Sequence, residues 1–216
     1  MAALDVGHGE FGALALRAGL LPREDGVREL LAARPSRMSL PELRRYLTVP
    51  GGAGVEILSG IRERIEGDEP LPRPDEIDRS LYLLEQWYPV VVMDTAPTWT
   101  EPIGAVALAH ADSLVLTVQA AGVDERALER AVTAVVDRGS ARLAGAAVLA
   151  VVETSGARQS YAARRRIEAV RREMHAVVRI PYDPALSDAS VRWGRLRRRT
   201  RAAFAALVDA VESTGG

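Results

Sequence analysis

Six short apolar runs, each bounded by turn-forming residues, recur along the chain. Each run has four to seven residues, and valine, leucine, isoleucine and alanine dominate them. Such runs are typical of strands that are buried on both faces of a sheet. The predicted strands are residues 2–6, 55–58, 90–93, 114–118, 146–152 and 176–180.

The segments between these runs carry helix signals. Ser39 and Glu42 have the spacing of a capping box, with Pro41 in the first turn. Pro74, followed by two acidic residues, opens a further helix that runs toward Trp87. Apolar residues at helical spacing predict three more helices, over 124–139, 161–174 and about 190–211. The core-facing stripe of the last one is predicted to hold Leu196, Phe204, Leu207, Val208 and Val211.

This alternation of strands and helices predicts an α/β fold class, with a mostly parallel sheet and helices on both faces. A length of 216 residues suits one such domain, spanning 1–216. With 48% apolar and 26% charged residues, the composition is that of an ordinary soluble globular protein. Segment 60–74, rich in charge, proline and glycine, is predicted to be a mobile loop.

Composition narrows the possible locations and chemistries. The chain has no apolar run of about 18 residues and no charged-then-apolar leader, so a cytoplasmic location is expected. It has no cysteine, which excludes disulfides, thiolate metal sites and cysteine nucleophiles. Its three histidines lie far apart in sequence, which argues against a zinc site.

All 28 basic residues are arginine, because the sequence contains no lysine; it contains no asparagine either. A lysine that reaches the β and γ phosphates is a working part of the phosphate-binding P-loop, GxxxxGKS or GxxxxGKT. That motif therefore cannot occur in these 216 residues.

The arginines are concentrated in the C-terminal third of the chain. Solvated helix faces explain such a charge distribution most simply. The alternative is a surface that neutralises the phosphates of DNA or of anionic lipid. The residues in question are Arg164, Arg165, Arg166, Arg171, Arg172, Arg195, Arg197, Arg198, Arg199 and Arg201.

Two aspartates stand at the carboxyl ends of predicted strands. Asp94 follows Val90, Val91, Val92 and Met93, and Asp5 ends the first strand before a glycine-rich loop. Open α/β sheets bind ligands at this end, and a carboxylate there can hold hydrated Mg²⁺ or orient a water molecule. The structural alternatives are a carboxylate that accepts from backbone donors in the turn before Pro97 and a flexible turn after Asp5.

Five fragments, in one order over about 180 residues, give the chain a resemblance to a known family. The chain resembles the MinD/ParA family of deviant P-loop ATPases, and more narrowly the actinobacterial MinD-like ATPases. Asp5 with the glycines after it is similar to the family's switch-I segment, Asp-Pro-x-Gly-Gly, and residues 50–58 are similar to its strand "glsvLpag". Residues 90–97 are similar to the Walker B strand and the switch that follows it. Residues 110–118 are similar to the strand "aD.vllv..p", and residues 180–183 to the loop "iPyD".

The resemblance implies a nucleotide switch that binds ATP and Mg²⁺. By this resemblance Asp94 would hold Mg²⁺ through water, and Asp5 would be the catalytic residue that positions the attacking water. Thr95 and Pro97 would belong to switch II, and Pro181, Tyr182 and Asp183 would line the nucleotide base. Family members form homodimers around ATP and respond to an activating or positioned protein partner. DNA or an anionic membrane is a further possible partner through the arginine-rich helices.

The sequence departs from the family pattern at several points. The P-loop, which carries two lysines in the family, would lie upstream of Asp5. Ala3 stands where the family has an acid, Gly7 replaces a proline, and Glu153 and Thr154 follow the strand where an asparagine often reads adenine. Base identity is therefore open.

Loss of the P-loop strand would leave two sheet edges unpaired and apolar surface uncovered. An earlier start of the natural polypeptide is the favoured explanation, ahead of dependence on a partner or a rearranged, degenerate relative. We therefore expect an ATP-dependent switch that positions or regulates another assembly, and that hydrolyses ATP very poorly with these 216 residues alone. The alternative is a non-enzymatic pseudo-ATPase module that binds protein or nucleic acid.

Overall fold

The chain folds into two compact units. The computed structural model describes residues 1–6, 13–18, 26–33, 37–48, 54–59, 73–95, 102–120, 125–137, 141–155, 161–188 and 191–214. The first unit comprises Met1–His110 with Ala189–Val191, and the second comprises Ala111–Asp188 with Arg192–Gly216. A single domain over the whole chain stays a prediction.

Parallel strands and helices alternate in the first unit. The elements are β1 (Ala2–Val6), α1 (Ala13–Arg17), α2 (Val27–Ala32), α3 (Leu40–Leu43), β2 (Glu56–Ser59), α4 (Pro74–Glu85), β3 (Val91–Thr95) and α5 (Pro102–His110). The strands pair in the order β2-β1-β3, and both pairings are parallel. β1 is therefore the central strand, and all five of its residues are buried.

The two faces of this sheet are covered differently. Leu4 and Leu58 belong to the large apolar core that α2 and α4 complete with their buried leucines. Ala3 and Ile57 face the other way and pack against Ala15 of α1. Because side chains alternate along a strand, each residue of β1 is assigned to one of these faces by its position.

β3 is less buried than the sequence predicts. Val92 is 47% exposed, and Val90, just before the strand, is 51% exposed. The expectation of a fully buried strand over 90–93 is wrong here, because β3 forms the outer edge of the described sheet and is paired with β1 alone. An exposed parallel edge with valine side chains is a feature that proteins usually cover.

The amino end of the same sheet holds a neutralised buried carboxylate. Arg44 donates to Glu56 from both Nε and Nη2, and the Tyr88 hydroxyl donates to Glu56 Oε2 at 2.5 Å. Burial, together with the hydrogen bond to Glu56, raises the pKa of Tyr88 to about 12. This charged group is thus paired and hydrogen-bonded, as buried charges must be.

The second unit repeats the alternating pattern. Its elements are β4 (Val115–Gln119), α6 (Glu125–Asp137), α7 (Ala141–Gly145), β5 (Val148–Val152), α8 (Tyr161–Val170), β6 (Ala176–Ile180) and α9 (Arg198–Glu212), with short 3-10 turns at Pro184–Leu186 and Trp193–Arg195. The strands form a parallel sheet in the order β4-β5-β6. The central strand β5 is the most buried of the three.

Most sequence-predicted elements lie within two residues of the observed ones. The capping box is confirmed, since Glu42 Oε2 accepts from both the backbone N–H and the hydroxyl of Ser39. The last helix is a correction, because it begins at Arg198 rather than near 190. Val208 is 55% exposed, so its predicted place on the core-facing stripe is wrong.

Some predictions fall on residues that the structure does not describe. Residues 60–72, most of the predicted mobile loop, lie outside the described ranges, and so do Asp124 and Gly139, the two ends of the helix predicted over 124–139. Within the described residues, no helix combines the length and the apolar character needed to cross a bilayer.

His110 joins the end of α5 to α4 through two carboxylates. Its Nδ1 lies 3.1 Å from Glu85 Oε1, and its Nε2 lies 2.9 Å from Asp78 Oδ1. Both ring nitrogens must carry hydrogen to donate to both acceptors, so this geometry favours the imidazolium. The hydrogen bond to Asp78, with that to Glu85, raises the pKa of His110.

We expect the stability of the protein to depend on the charge of His110. Its raised pKa means that the contribution is complete below the ordinary value of 6.5 and is lost as pH rises through the folded-state pKa. Both carboxylates are substantially exposed, so the contribution is at most about 1 kcal/mol. Urea unfolding of wild type and His110→Gln from pH 5.5 to 9 should give free energies of unfolding that differ at low pH and converge at high pH.

His175→Gln, which alters a ring bonded to the Ser213 hydroxyl, is the control. A difference between wild type and His110→Gln that stays constant with pH would contradict the assignment.

Gly26 permits a close approach between α2 and the end of β2. A Cβ at Gly26 would lie 2.3 Å from the carbonyl oxygen of Ser59. The N–H of Gly26 donates to Glu29 Oε2 at 2.7 Å, which fixes the first turn of α2. Glycine is therefore required here by space, since the obstructing atom belongs to the backbone.

Gly26→Ala should lower the free energy of unfolding by about 1–3 kcal/mol, because the β2 end or the α2 start must move to admit the methyl group. Gly145→Ala is the matched control: nothing lies within 4 Å of a Cβ at that helix position, so stability should be unchanged or slightly higher. Urea denaturation measures both variants. Equal unfolding midpoints for Gly26→Ala and wild type would show that the contact yields easily.

Candidate functional site

Three polar side chains form a row across the carboxyl end of the first sheet. Asp5 of β1 is in register with Asp94 of β3 on one side and with Ser59 of β2 on the other. In-register residues of neighbouring parallel strands share a face, with strands about 4.8 Å apart. We call Ser59, Asp5 and Asp94 the polar row. It lies on the face that α1 partly covers, opposite the large apolar core.

Asp5 occupies the centre of the row and is buried, at 7% exposure. Its Oδ2 accepts from the backbone N–H of Leu14 at 3.1 Å, which ties the start of α1 to the end of β1. One carboxylate oxygen thus has a structural task. The expectation of a catalytic Asp5 therefore rests on the remaining acceptor capacity of the same carboxylate.

Asp94 lies at the edge of the sheet and keeps an exposed surface. Partial burial of its carboxyl group raises its pKa, and the neighbouring charge of Asp5 raises it further. In the described part of the chain, no salt bridge joins Asp5 or Asp94 to a basic side chain. The carboxylates of Asp5 and Asp94 therefore repel each other without a described counter-charge, in contrast to the paired Glu56.

Ser59 is the member of the row that the sequence reasoning missed. It is 3% exposed, and no described group forms a hydrogen bond with its Oγ. The signal that could have found Ser59 is its position, since it directly follows the predicted strand 55–58, as Asp94 directly follows the predicted strand 90–93. Serine is common at strand ends, however, so the position gains meaning only from the register.

The donor set of the row fits a hard divalent cation. Mg²⁺ prefers oxygen ligands, commonly takes one or two carboxylates from a protein and keeps several waters. Asp5 and Asp94 supply the two carboxylates, and a buried hydroxyl without a partner lies in the same row. The described residues contain no cluster of three or more histidine, aspartate or glutamate side chains suited to a metal ion, so a cation here would depend on water for its other ligands.

Thr95 and Pro97, predicted to belong to switch II, stand apart from the row. Thr95 is in register with Val6, which places it on the opposite face of the sheet from Asp5 and Asp94. Pro97 lies outside the described residues. The strand register therefore groups Asp94 with Asp5, and leaves Thr95 out.

Pro181, Tyr182 and Asp183 follow β6 in the second unit. The backbone N–H of Tyr182 donates to Glu153 Oε2 at 3.4 Å, and the Tyr182 carbonyl accepts from Arg199. This loop thus connects the ends of β6 and β5 with the first turn of α9. That Pro181, Tyr182 and Asp183 line a nucleotide base stays a prediction.

Asp183 itself has an evident structural role. Its side chain accepts from the backbone N–H groups of Arg197 at 2.7 Å and Ala185 at 3.2 Å. The hydrogen bond from Arg197 lowers the pKa of Asp183. The carboxylate thereby holds the 3-10 turn and the start of α9 against the end of β6.

Two solved structures share this architecture. The ParA family ATPase from Chlorobium tepidum TLS matches 99% of this chain and 81% of its own, with a TM-score of 0.57 and 14% identity. Apo McdA from Cyanthece matches 100% of this chain and 87% of its own, with a TM-score of 0.59 and 14% identity. The chain has the fold of the ParA/MinD P-loop NTPases.

The predicted fold class is thereby confirmed. At 14% identity, the likeness establishes the fold alone. The sequence matches no protein-family model and no curated protein.

Replacing Asp94 with asparagine should stabilise the protein. Its raised pKa means that the ionised form is disfavoured in the folded state, so Asp94→Asn removes a penalty present above the folded-state pKa. Because the side chain is partly exposed, the gain should stay below about 1 kcal/mol. Thermal unfolding at pH 7 should show the higher midpoint for Asp94→Asn, and the gain should vanish near pH 3, where the acid is neutral in both states. A lower midpoint at pH 7 would show that Asp94 has a stabilising partner.

Proposed function

We propose that the chain provides the magnesium-side carboxylates of a ParA/MinD-like ATP-dependent switch that positions or regulates another cellular assembly. The observation that carries the proposal is the register of Asp5 with Asp94 on adjacent parallel strands. The shared fold of a ParA family ATPase supports the same interpretation. ATP and Mg²⁺ are the proposed cofactors, and a homodimer with a protein partner is the proposed working form.

Each carboxylate has its own part in this proposal. Asp94, at the exposed edge, holds the hydrated cation, and Asp5, buried in the centre, orients a water molecule with the oxygen that Leu14 leaves available. When bound, Mg²⁺ supplies positive charge toward the phosphate oxygens. The work of the protein in phosphoryl transfer is mainly placement and electrostatics, which suits groups fixed on strands.

The absence of lysine limits what these 216 residues do alone. A P-loop lysine stabilises charge on the β and γ phosphates, and arginine elsewhere in the chain does not replace its geometry. We therefore propose that the chain hydrolyses ATP very slowly at best. Cation binding at the polar row does not require that lysine and is the property to test first.

Mn²⁺, as a paramagnetic substitute for Mg²⁺, should bind the purified chain at one site that competes with Mg²⁺. Electron paramagnetic resonance of free Mn²⁺ during titration measures the affinity. Asp94→Asn should weaken binding at least about tenfold, because a charged ligand is lost. Asp112→Asn, an exposed aspartate of the second unit, is the matched control and should bind as wild type does.

Two results would overturn the proposal. One is an Asp94→Asn affinity equal to that of wild type, which would place any cation elsewhere. The other is the absence of a competitive site in the wild type. Steady ATP turnover by the purified chain that depends on Asp94 would leave the cation site standing but overturn the proposed inactivity.

The second candidate function is a non-enzymatic module that keeps the fold and binds another protein. The exposed valines Val90 and Val92 at the edge of β3 favour it, because an uncovered parallel edge accepts an added strand. Exposed arginines such as Arg164 and Arg198 extend the candidate to DNA or anionic lipid, although solvated helix faces explain them as well. A wild type without cation affinity would favour this candidate.

A further inference from the structure

We propose that Ser59 is a positioning residue of the cation site, with its hydroxyl holding a water molecule that links Asp5 to the water shell of a hard divalent cation. This inference rests on the proposed function of the polar row. It goes beyond that function by adding a neutral group that neither the family resemblance nor the strand-end aspartates indicate.

The first support is the unsatisfied hydroxyl. Ser59 Oγ is buried and has no hydrogen-bond partner among the described residues. A buried hydroxyl that has lost its water without gaining a partner is costly, so such groups call for an explanation such as a bound ligand or water. Ser80, also buried, shows the usual solution, since its Oγ donates to the Glu76 carbonyl at 2.9 Å.

The second support is the direction of the side chain. Ser59 is in register with Asp5, so it points to the face of the sheet that carries Asp5 and Asp94. Leu58, its neighbour in the chain, points into the large apolar core instead. The Ser59 hydroxyl therefore lies on the same face as the carboxylates, where a polar ligand would bind, and not on the face of the large apolar core.

The third support is rigidity. The carbonyl of Ser59 lies so close to Gly26 that no side chain fits between them. Ser59 also belongs to a strand whose four residues are all buried. A hydroxyl on such a fixed backbone loses little freedom when it forms a hydrogen bond, which is what a positioning group requires.

The distance between Ser59 and Asp94 determines whether the Ser59 hydroxyl would contact the cation directly or through water. Ser59 and Asp94 flank Asp5 on opposite sides, each about 4.8 Å from it by strand spacing. A cation held by Asp94 would therefore lie too far from Ser59 for direct coordination at about 2.1 Å, but a water molecule would bridge such a gap. Ser59 accordingly acts through Asp5 and water and is not itself an inner ligand.

The test compares Mn²⁺ affinity with stability in Ser59→Ala. Removal of one hydrogen bond to a charged group or its water should weaken Mn²⁺ binding by about 3- to 10-fold. The thermal midpoint without cation should stay equal or rise, because alanine removes an unsatisfied buried hydroxyl. Ser80→Ala is the matched control, an identical change at a buried serine of the same unit, and should keep wild-type Mn²⁺ affinity.

The outcomes separate this inference from the proposed function. Wild-type affinity in Ser59→Ala, with affinity lost in Asp94→Asn, would overturn the role of Ser59 and leave the carboxylate site intact. A loss of affinity in Ser59→Ala that is matched by a loss of stability, and shared by Ser80→Ala, would also overturn it. Absence of Mn²⁺ binding in the wild type would remove both proposals together.

Discussion

The pairing of β1 with β3 is the contact on which the site depends. These strands lie about 85 residues apart in sequence, yet their parallel ladder places Asp5 beside Asp94. A slip of one residue would send one of the two carboxylates to the opposite face, so the site exists only in the observed register. The leucine-rich core on the other face stabilises that register, because a slip of one residue would turn Leu4 away from the core or bury a carboxylate in it.

The carboxylates at the two ends of this sheet have opposite surroundings. At the amino end, Glu56 is paired with Arg44 and hydrogen-bonded by Tyr88, as expected of a structural buried carboxylate. At the carboxyl end, partial burial raises the pKa of Asp94, and the neighbouring charge of Asp5 raises it further. A carboxylate with a raised pKa and no described counter-charge, such as Asp94, is characteristic of binding sites, where a protein loses some stability in order to bind a ligand. The comparison within one sheet therefore favours function at the carboxyl end.

Two contacts fix the backbone near the repelling carboxylates of Asp5 and Asp94. Asp5 holds the start of α1 through Leu14, and Gly26 lets α2 approach the carbonyl of Ser59 closely. These contacts hold the ends of β1 and β2 at the carboxyl end of the sheet. In the second unit, the carboxylate of Asp183 joins the end of β6 to the start of α9, so this carboxylate after a strand has a structural role.

The sequence by itself determined the local elements and the types of chemistry. Apolar runs located the six strands of the described residues, and the spacing of Ser39 and Glu42 identified a capping box. The lack of lysine excluded a P-loop from these 216 residues. Only the tertiary structure decided that β1 is central, that Asp5, Ser59 and Asp94 share one row, and that Thr95 faces away from it. The physical reason is that periodicity and capping act between residues a few positions apart. Strand order and register arise from hydrogen bonds and packing between segments far apart in the chain, which no local pattern encodes.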